Sequence, residues 1–371
     1  MLKKKILLIT HQTSKTGAPY TILLIFKEIL KKQNIELDVF ALSSLGDLKN
    51  EFKEISSNFY SPEKYYNYRK TFYEKFLSFL RLRTYDTPLE IVKDEILRNK
   101  YDYIYANTVV TIPIAIELNE SINAQLIAHI HELNHAIQEC LPDLKNYIEY
   151  INHFFVPSEL NKNLLVNQFQ VPIDKISICR AAASPPENDF KFKTQTDIFN
   201  VYMCGTANWR KGEDLFLTLA NSVIKTDHDI HFYWVGELNE NSKIKTEIEL
   251  SKLETQNNIH FLGESKNVYD IIEKMNCFIL TSREDPFPLA AIEAGMAGLP
   301  IICFNKGNGI QEVFDDSELI VEYLNIDSMK NKILELKSDH NKTKKMGEAN
   351  KKKFGNYTPQ IVSNEILKCF N

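Results

Sequence analysis

The sequence predicts an α/β protein of two doubly wound, parallel-sheet domains, on three observations. Short apolar runs alternate with amphipathic helical stretches from end to end, the pattern of strands joined by crossover helices. The 371 residues exceed what one hydrophobic core ordinarily organises, and so imply two domains of similar size. A polar, proline-bearing stretch around Ser184-Pro185-Pro186-Glu187 lies near the middle of the chain and reads as an interdomain linker. The predicted division is 1–180, a linker over 181–196, a second domain over 197–355 and a closing segment over 356–371.

In the first half the predicted strands are 5–10, 36–42, 103–106, 125–131, 154–157 and 175–179, each an apolar run bounded by polar residues. Helices are predicted over 18–32, 109–119 and 158–168. Gly17 frees the backbone before the first of these, where Ser14 or Thr16 is placed to cap it. In the second half the predicted strands are 199–204, 231–235, 259–262, 277–281, 300–304 and 319–322. A lysine-rich stretch, 342–353, precedes a last amphipathic helix over 359–370.

Composition narrows the class. The net charge of −5 gives no pull toward nucleic acid. Cysteines 140, 179, 204, 277, 303 and 369 are scattered without a C-x-x-C, so they read as reduced thiols and not as disulfides or a zinc site. No apolar run reaches membrane-spanning length, and the start of the chain is a first strand and lacks the apolar length of a signal peptide. The expected location is the cytoplasm.

The strongest chemical signal lies in residues 283–303. Pro286 and Pro288 stop a helix from starting early, and Pro288 suits the first turn of the helix that follows. The acidic loop Glu284-Asp285 therefore sits on the carboxyl edge of a sheet, beside a helix N-terminus that attracts anions. Glu293 follows Asp285 by eight positions. A second segment, Cys204 to Leu215, takes a strand through Gly205 and a polar loop into a helix, with Arg210 and Lys211 at its start. Fixed cations there suit a reaction that develops negative charge.

In the first domain, Ala128-His129-Ile130-His131-Glu132 ends a strand, so His131 lies at the edge and His129 is expected to pack. Zinc binding by His129, His131 and His135 is disfavoured, because that spacing does not converge on one point. Asp227-His228-Asp229 spells D-x-D but falls at the amino end of a strand and reads as a turn. Residues 64–83 hold Lys64, Arg69, Lys70, Lys75, Arg81 and Arg83, with Phe72, Phe76, Phe79 and Leu80 on one helical face. Two readings stay open there: peripheral contact with an anionic bilayer, or an ordinary helix with a solvated basic face.

Together these segments resemble the retaining glycosyltransferases of family 4. The residues that carry the resemblance are Asp285 with Pro286-Phe287-Pro288-Leu289, Glu293-Ala294-Gly295, Arg210-Lys211-Gly212-Glu213-Asp214-Leu215, His131 before Glu132, Gly17 in the first loop, and Gly307-Asn308-Gly309-Ile310-Gln311-Glu312. The match covers nearly the whole chain and is strongest over 201–309. The resemblance implies the GT-B architecture, two Rossmann-like domains facing across a cleft, with the final helix crossing back to the first domain. It implies that the first domain presents the acceptor and the second holds the nucleotide sugar.

By the same resemblance, Glu293 binds ribose hydroxyls and Asp285 a hydroxyl of the transferred sugar. Lys211 and Arg210 stabilise the departing diphosphate, and His131 contacts the donor sugar. Gly17, Gly205 and the backbone of Phe287, Pro288 and Leu289 complete the donor site, although a proline has no N–H to give. Thr16 and Asn107 fall on the acceptor side, Ser158 on a helix cap, and Glu312 either on a cap or on the ligand. The implied reaction moves a hexose from a nucleotide diphosphate, uridine being expected, to a hydroxyl of a glycan or lipid-linked acceptor. It needs no metal, cofactor or protein nucleophile. Three departures stand out: Asp285 where relatives more often carry Glu, Gly205 where many carry an arginine, and one glycine in the first loop where two are usual. A sugar-nucleotide epimerase or phosphorylase of the same fold, and a non-catalytic partner subunit, are the alternatives.

Overall fold

The computed structural model describes residues 3–65, 87–187, 198–238, 240–265, 267–314 and 319–370. The chain separates into two compact units: Met1–Pro157 with Asn161–Cys179 and Ser363–Asn371, and Ser158–Leu160 with Arg180–Val362.

Among the described residues the first unit is built on seven strands: β1 (Lys4–Thr10), β2 (Ile35–Ala41), β3 (Asn58–Tyr60), β4 (Tyr103–Asn107), β5 (Gln125–His129), β6 (His153–Val156) and β7 (Ile176–Ile178). Their order is β3-β2-β1-β4-β5-β6-β7, and every neighbouring pair is parallel. Ile6, Leu7, Leu8 and Ile9 are all fully buried, because helices cover both faces of a parallel sheet and leave no polar side. Among the described residues the second unit has six parallel strands in the order β10-β9-β8-β11-β12-β13. They are β8 (Phe199–Cys204), β9 (Ile230–Val235), β10 (Ile259–Phe261), β11 (Cys277–Leu280), β12 (Ile301–Phe304) and β13 (Ile320–Val321).

In both sheets the strand order reverses once, between β1 and β4 and between β8 and β11. The crevice outside the carboxyl ends of such a switch point is where doubly wound sheets bind ligands.

Several local expectations change. β3 follows two serines as a three-residue strand that periodicity does not register. β5 ends at His129, so His131 stands two residues beyond the ladder and not within it. The helix predicted from residue 109 opens as a 3₁₀ turn, Val109–Thr111, and becomes α-helical at Ile112, where Pro113 suits a first turn. Neither Ser14 nor Thr16 caps the first helix: Thr16 occupies the N-cap position without a side-chain bond to the helix, and its hydroxyl lies 2.8 Å from that of Ser14. The lysine-rich stretch is itself a helix, His340–Phe354.

The basic, aromatic segment 64–83 falls outside the described residues apart from Lys64 and Tyr65, which end a 3₁₀ turn. Among the described residues no helix is long and apolar enough to cross a membrane.

Candidate functional site

In the second unit the loops after β8 and β11 are tied together by backbone. Gly212 has φ 73°, and a Cβ there would lie 2.2 Å from the Thr281 carbonyl oxygen. Only glycine lets the start of helix Glu213–Ile224 sit this close to the end of β11. The Thr281 hydroxyl donates to the carbonyls of Gly212 and Lys211, at 3.1 and 3.2 Å. Arg283 and Glu284 N–H groups donate to the Arg210 carbonyl, and the Arg210 guanidinium donates back to the Glu284 carbonyl at 2.7 Å. Arg210 thus fixes the loops, and its charge is partly used on backbone.

This frame delivers Lys211 to Asp285: Nζ lies 2.5 Å from Oδ2, with the Ser282 hydroxyl 3.3 Å from the same oxygen. Both side chains are largely out of water, at 14 % and 6 % exposure. Burial lowers the Lys211 pKa; the Asp285 charge offsets this in part, and the nearby Arg210 charge adds to it. The Asp285 backbone is held from a third loop. Its N–H donates to the Gly307 carbonyl at 2.7 Å, and its carbonyl accepts from the Gly309 N–H at 3.0 Å.

Directly after this loop, helix Leu289–Met296 has Pro288 at its N-cap, and a proline ring carries no group that could cap it. Its first N–H groups therefore keep the positive potential of a helix N-terminus. Glu293 stands one turn in and is half-buried. Burial and then its charge push the Cys204 thiol, at the end of β8, up to about 12. Phe287 is buried, with the Arg180 guanidinium 4.9 Å above its ring, so its side chain packs and only its backbone can serve a ligand. Glu312 accepts from the Glu159 and Leu160 N–H groups at 3.0 Å and pairs with Arg180 at 2.6 Å; it caps the start of a helix elsewhere in the sequence. Asp227 pairs with Lys337 at 2.6 Å, within a turn.

The loop from Gly205 to Lys211 is flanked by both tryptophans of the chain. Trp234 is fully buried and donates its indole N–H to the Gly205 carbonyl at 2.8 Å. Trp209 is 55 % exposed, under the Arg283 guanidinium at 4.9 Å. Arg283 is oriented by a two-point pair with Asp214, at 2.8 and 2.7 Å.

In the first unit the carboxyl ends of β1, β4 and the chain beyond β5 gather His11, Asn107, Thr108 and His131. His131 Nε2 lies 2.9 Å from Asn107 Oδ1, and the His131 and His129 rings stack with centroids 3.8 Å apart. Burial first, then the charge of His11, pushes the His131 pKa down to about 3. His129 is fully buried and its Nδ1 lies 2.9 Å from the Tyr105 hydroxyl, as packing requires. Asn107 is fully buried, under His131 rather than on a surface. Thr16, at the N-cap, and Gly17, the first residue of helix Gly17–Lys32, are exposed, and a Cβ on Gly17 would meet nothing within 4 Å. The close approach in this region belongs to Gly46, where a Cβ would come within 2.4 Å of the Thr13 carbonyl oxygen.

Sequence reasoning did not find Gly46, Ser282, Arg283 or the backbone of Thr108, which has φ 105°. Ser282 and Arg283 adjoin Asp285 and were within reach of a reading that took the whole loop as a unit. Gly46 and Thr108 required the tertiary structure.

Residues 185–353 match the family model described as Glycosyl transferases group 1. No curated protein matches the chain. Among solved structures, HepE from Anabaena in complex with UDP and glucose superposes with a TM-score of 0.79 at 15 % identity, over 99 % of each chain. A glycine-to-arginine mutant of TarM from S. aureus, in complex with fondaparinux, alpha-GlcNAc-glycerol and UDP, gives 0.78 at 16 % identity, over 99 % of this chain and 100 % of that one. Sucrose-phosphate synthase from Thermosynechococcus elongatus gives 0.76 at 14 % identity, over 99 % and 98 %. The likeness is one of fold, and the fold is GT-B.

Proposed function

We propose that this protein is a retaining glycosyltransferase of the family-4 type. It moves a hexose from a UDP-sugar to a hydroxyl of a glycan or lipid-linked acceptor, in surface polysaccharide or glycoconjugate synthesis. The observation that carries this reading is the group beyond β8 and β11: Lys211 against Asp285, beside the uncapped start of helix Leu289–Met296. Breaking a sugar–diphosphate bond leaves an additional negative charge on the diphosphate. A fixed cation and a helix N-terminus stabilise that charge without reorganising, and removing one such group typically costs on the order of 3–4 kcal/mol.

In this reading Glu293 accepts from the ribose hydroxyls, Asp285 from a hydroxyl of the sugar, and His131 contacts the same sugar. The departing diphosphate oxygen helps take the acceptor's proton, so the protein supplies no nucleophile, metal or cofactor. Residues 197–355 hold the donor and 1–180 the acceptor. The match of 185–353 to the group 1 model supports the transferase class, and the similarity to HepE, a protein solved with UDP-glucose, supports uridine. Contact of 64–83 with the inner face of an anionic membrane belongs to the same proposal. Liposome flotation that ignores both lipid charge and the triple change Arg69→Glu, Lys70→Glu, Lys75→Glu would remove that part.

Isothermal titration with UDP-sugars, followed by a UDP-release screen and NMR of the product, tests the whole. Binding that Lys211→Ala abolishes is the expected result. The second reading, a non-catalytic partner subunit, is favoured by the engagement of Lys211 with Asp285. It wins if no UDP-sugar binds and Lys211→Ala changes nothing.

A further inference from the structure

The buried amide of Asn107 has two distinguishable ends. Its Nδ2 donates to the Ala18 carbonyl at 3.4 Å, and its Oδ1 faces His131 Nε2 at 2.9 Å. Exchanging the two ends would set an oxygen against the Ala18 oxygen, two acceptors with no proton between them. The oxygen must therefore face the histidine, and an oxygen can only accept.

We infer that Asn107 is a positioning residue that holds His131 as the Nε2–H tautomer, so that Nδ1 is the nitrogen offered to a sugar hydroxyl. The role toward sugar rests on the transferase reading; the tautomer does not. The surrounding structure locks the arrangement. Asn107 is paired on both sides, with Thr10 of β1 and His129 of β5, so its backbone is fixed, and its side chain is fully buried. The next residue, Thr108, donates its N–H to the His129 carbonyl at 2.9 Å, which pins the end of β4 to the start of the His131 segment. The His129 ring lies 3.8 Å beneath His131 and restrains its plane. His11, whose pKa burial lowers, lies 3.3 Å from the Thr108 hydroxyl. Two stacked imidazoles and a neutral amide favour an uncharged His131, and a neutral imidazole accepts at the one nitrogen that lacks the proton. His131 can then receive a hydroxyl hydrogen bond at Nδ1 but cannot act as a general acid there.

Histidine-selective ¹⁵N NMR of the full chain tests this directly, with the His131 signal identified by its loss in His131→Gln. The wild type should show a pyrrole-type Nε2 and a pyridine-type Nδ1. Asn107→Leu should shift His131 away from that form, while Asn107→Asp, which sets a carboxylate opposite Nε2, should keep the Nε2 proton and favour protonation of Nδ1 as well. In parallel, kcat/KM for the UDP-sugar should fall about tenfold in Asn107→Leu, with the affinity for UDP alone unchanged. A wild-type spectrum with the proton on Nδ1, or an unaltered tautomer in Asn107→Leu, overturns the inference. The Nε2–H form and its loss in Asn107→Leu, in a protein that turns over no UDP-sugar, supports the tautomer assignment and sinks the transferase reading.

Discussion

Lys211 Nζ lies 2.5 Å from Asp285 Oδ2, and the two residues come from loops 74 positions apart in sequence. Removing one partner from so buried a pair leaves a charge without compensation, which costs roughly 3–5 kcal/mol, whereas replacing both with apolar groups is far cheaper. Lys211→Met and Asp285→Leu should each destabilise the protein strongly, and the double variant should recover most of the loss. Urea unfolding of the four proteins gives the coupling energy. Additive effects would show that the pair is not coupled.

The same burial sets a pH dependence. Lys211 titrates below the ordinary 10.5, so between its native value and 10.5 the unfolded chain holds more protons. Its contribution to stability accordingly rises with pH across that window. Donor binding, which needs the cation, should move the other way, and UDP-sugar affinity should weaken on the alkaline side before pH 10.5 while unfolding temperature does not follow it. Lys211→Arg keeps its charge and should shift that limb upward. An affinity flat to pH 10.5 would contradict the assignment.

Thr108, at φ 105° and ψ 156°, occupies backbone space that is essentially glycine's alone. A β-branched residue held there stores about 1–3 kcal/mol. Thr108→Gly releases that strain but adds freedom to the unfolded chain, so the net expectation is a gain of about 1 kcal/mol. Activity should fall, because the hydroxyl beside His11 and the fixed end of β4 are lost together. Differential scanning calorimetry with a turnover assay checks both halves, and a destabilised variant would refute the argument.

Much of the architecture was legible because parallel strands buried on both faces read as unbroken apolar runs. Cys277–Leu280 is such a run, and its predicted start agrees with the structure. Asn58–Tyr60 is too short for any period to register. Residues 125–131 kept the alternation of a strand for two positions after the ladder had ended at His129, because hydrogen bonding stops a strand and side-chain pattern does not. At the site, residue types and spacing brought out Lys211, Asp285, Glu293 and His131. The direct pairing of Lys211 with Asp285, and of Asn107 with His131, depends on register between strands distant in sequence, which no local pattern encodes.

Glu312 closes the start of helix Glu159–Leu164 by accepting two backbone N–H groups and pairing with Arg180. Glu312→Ala should cost about 1–3 kcal/mol through two lost charge-assisted bonds to backbone and the lost ion pair with Arg180. Glu312→Gln keeps an acceptor oxygen and should lose about half as much. Chemical denaturation distinguishes these outcomes. Equal losses in the two variants would mean that the charge, and not the cap, carries the effect.

The placement of the two indoles makes the loop from Gly205 to Lys211 self-reporting. Trp234, dry and hydrogen-bonded to the Gly205 carbonyl, should emit at short wavelength, and Trp209, wet and under a guanidinium, at long wavelength and partly quenched. Movement at either end of the loop would thus change a different part of one emission spectrum. The order in which the two ends respond to a nucleotide could be followed by stopped-flow fluorescence, with no label attached.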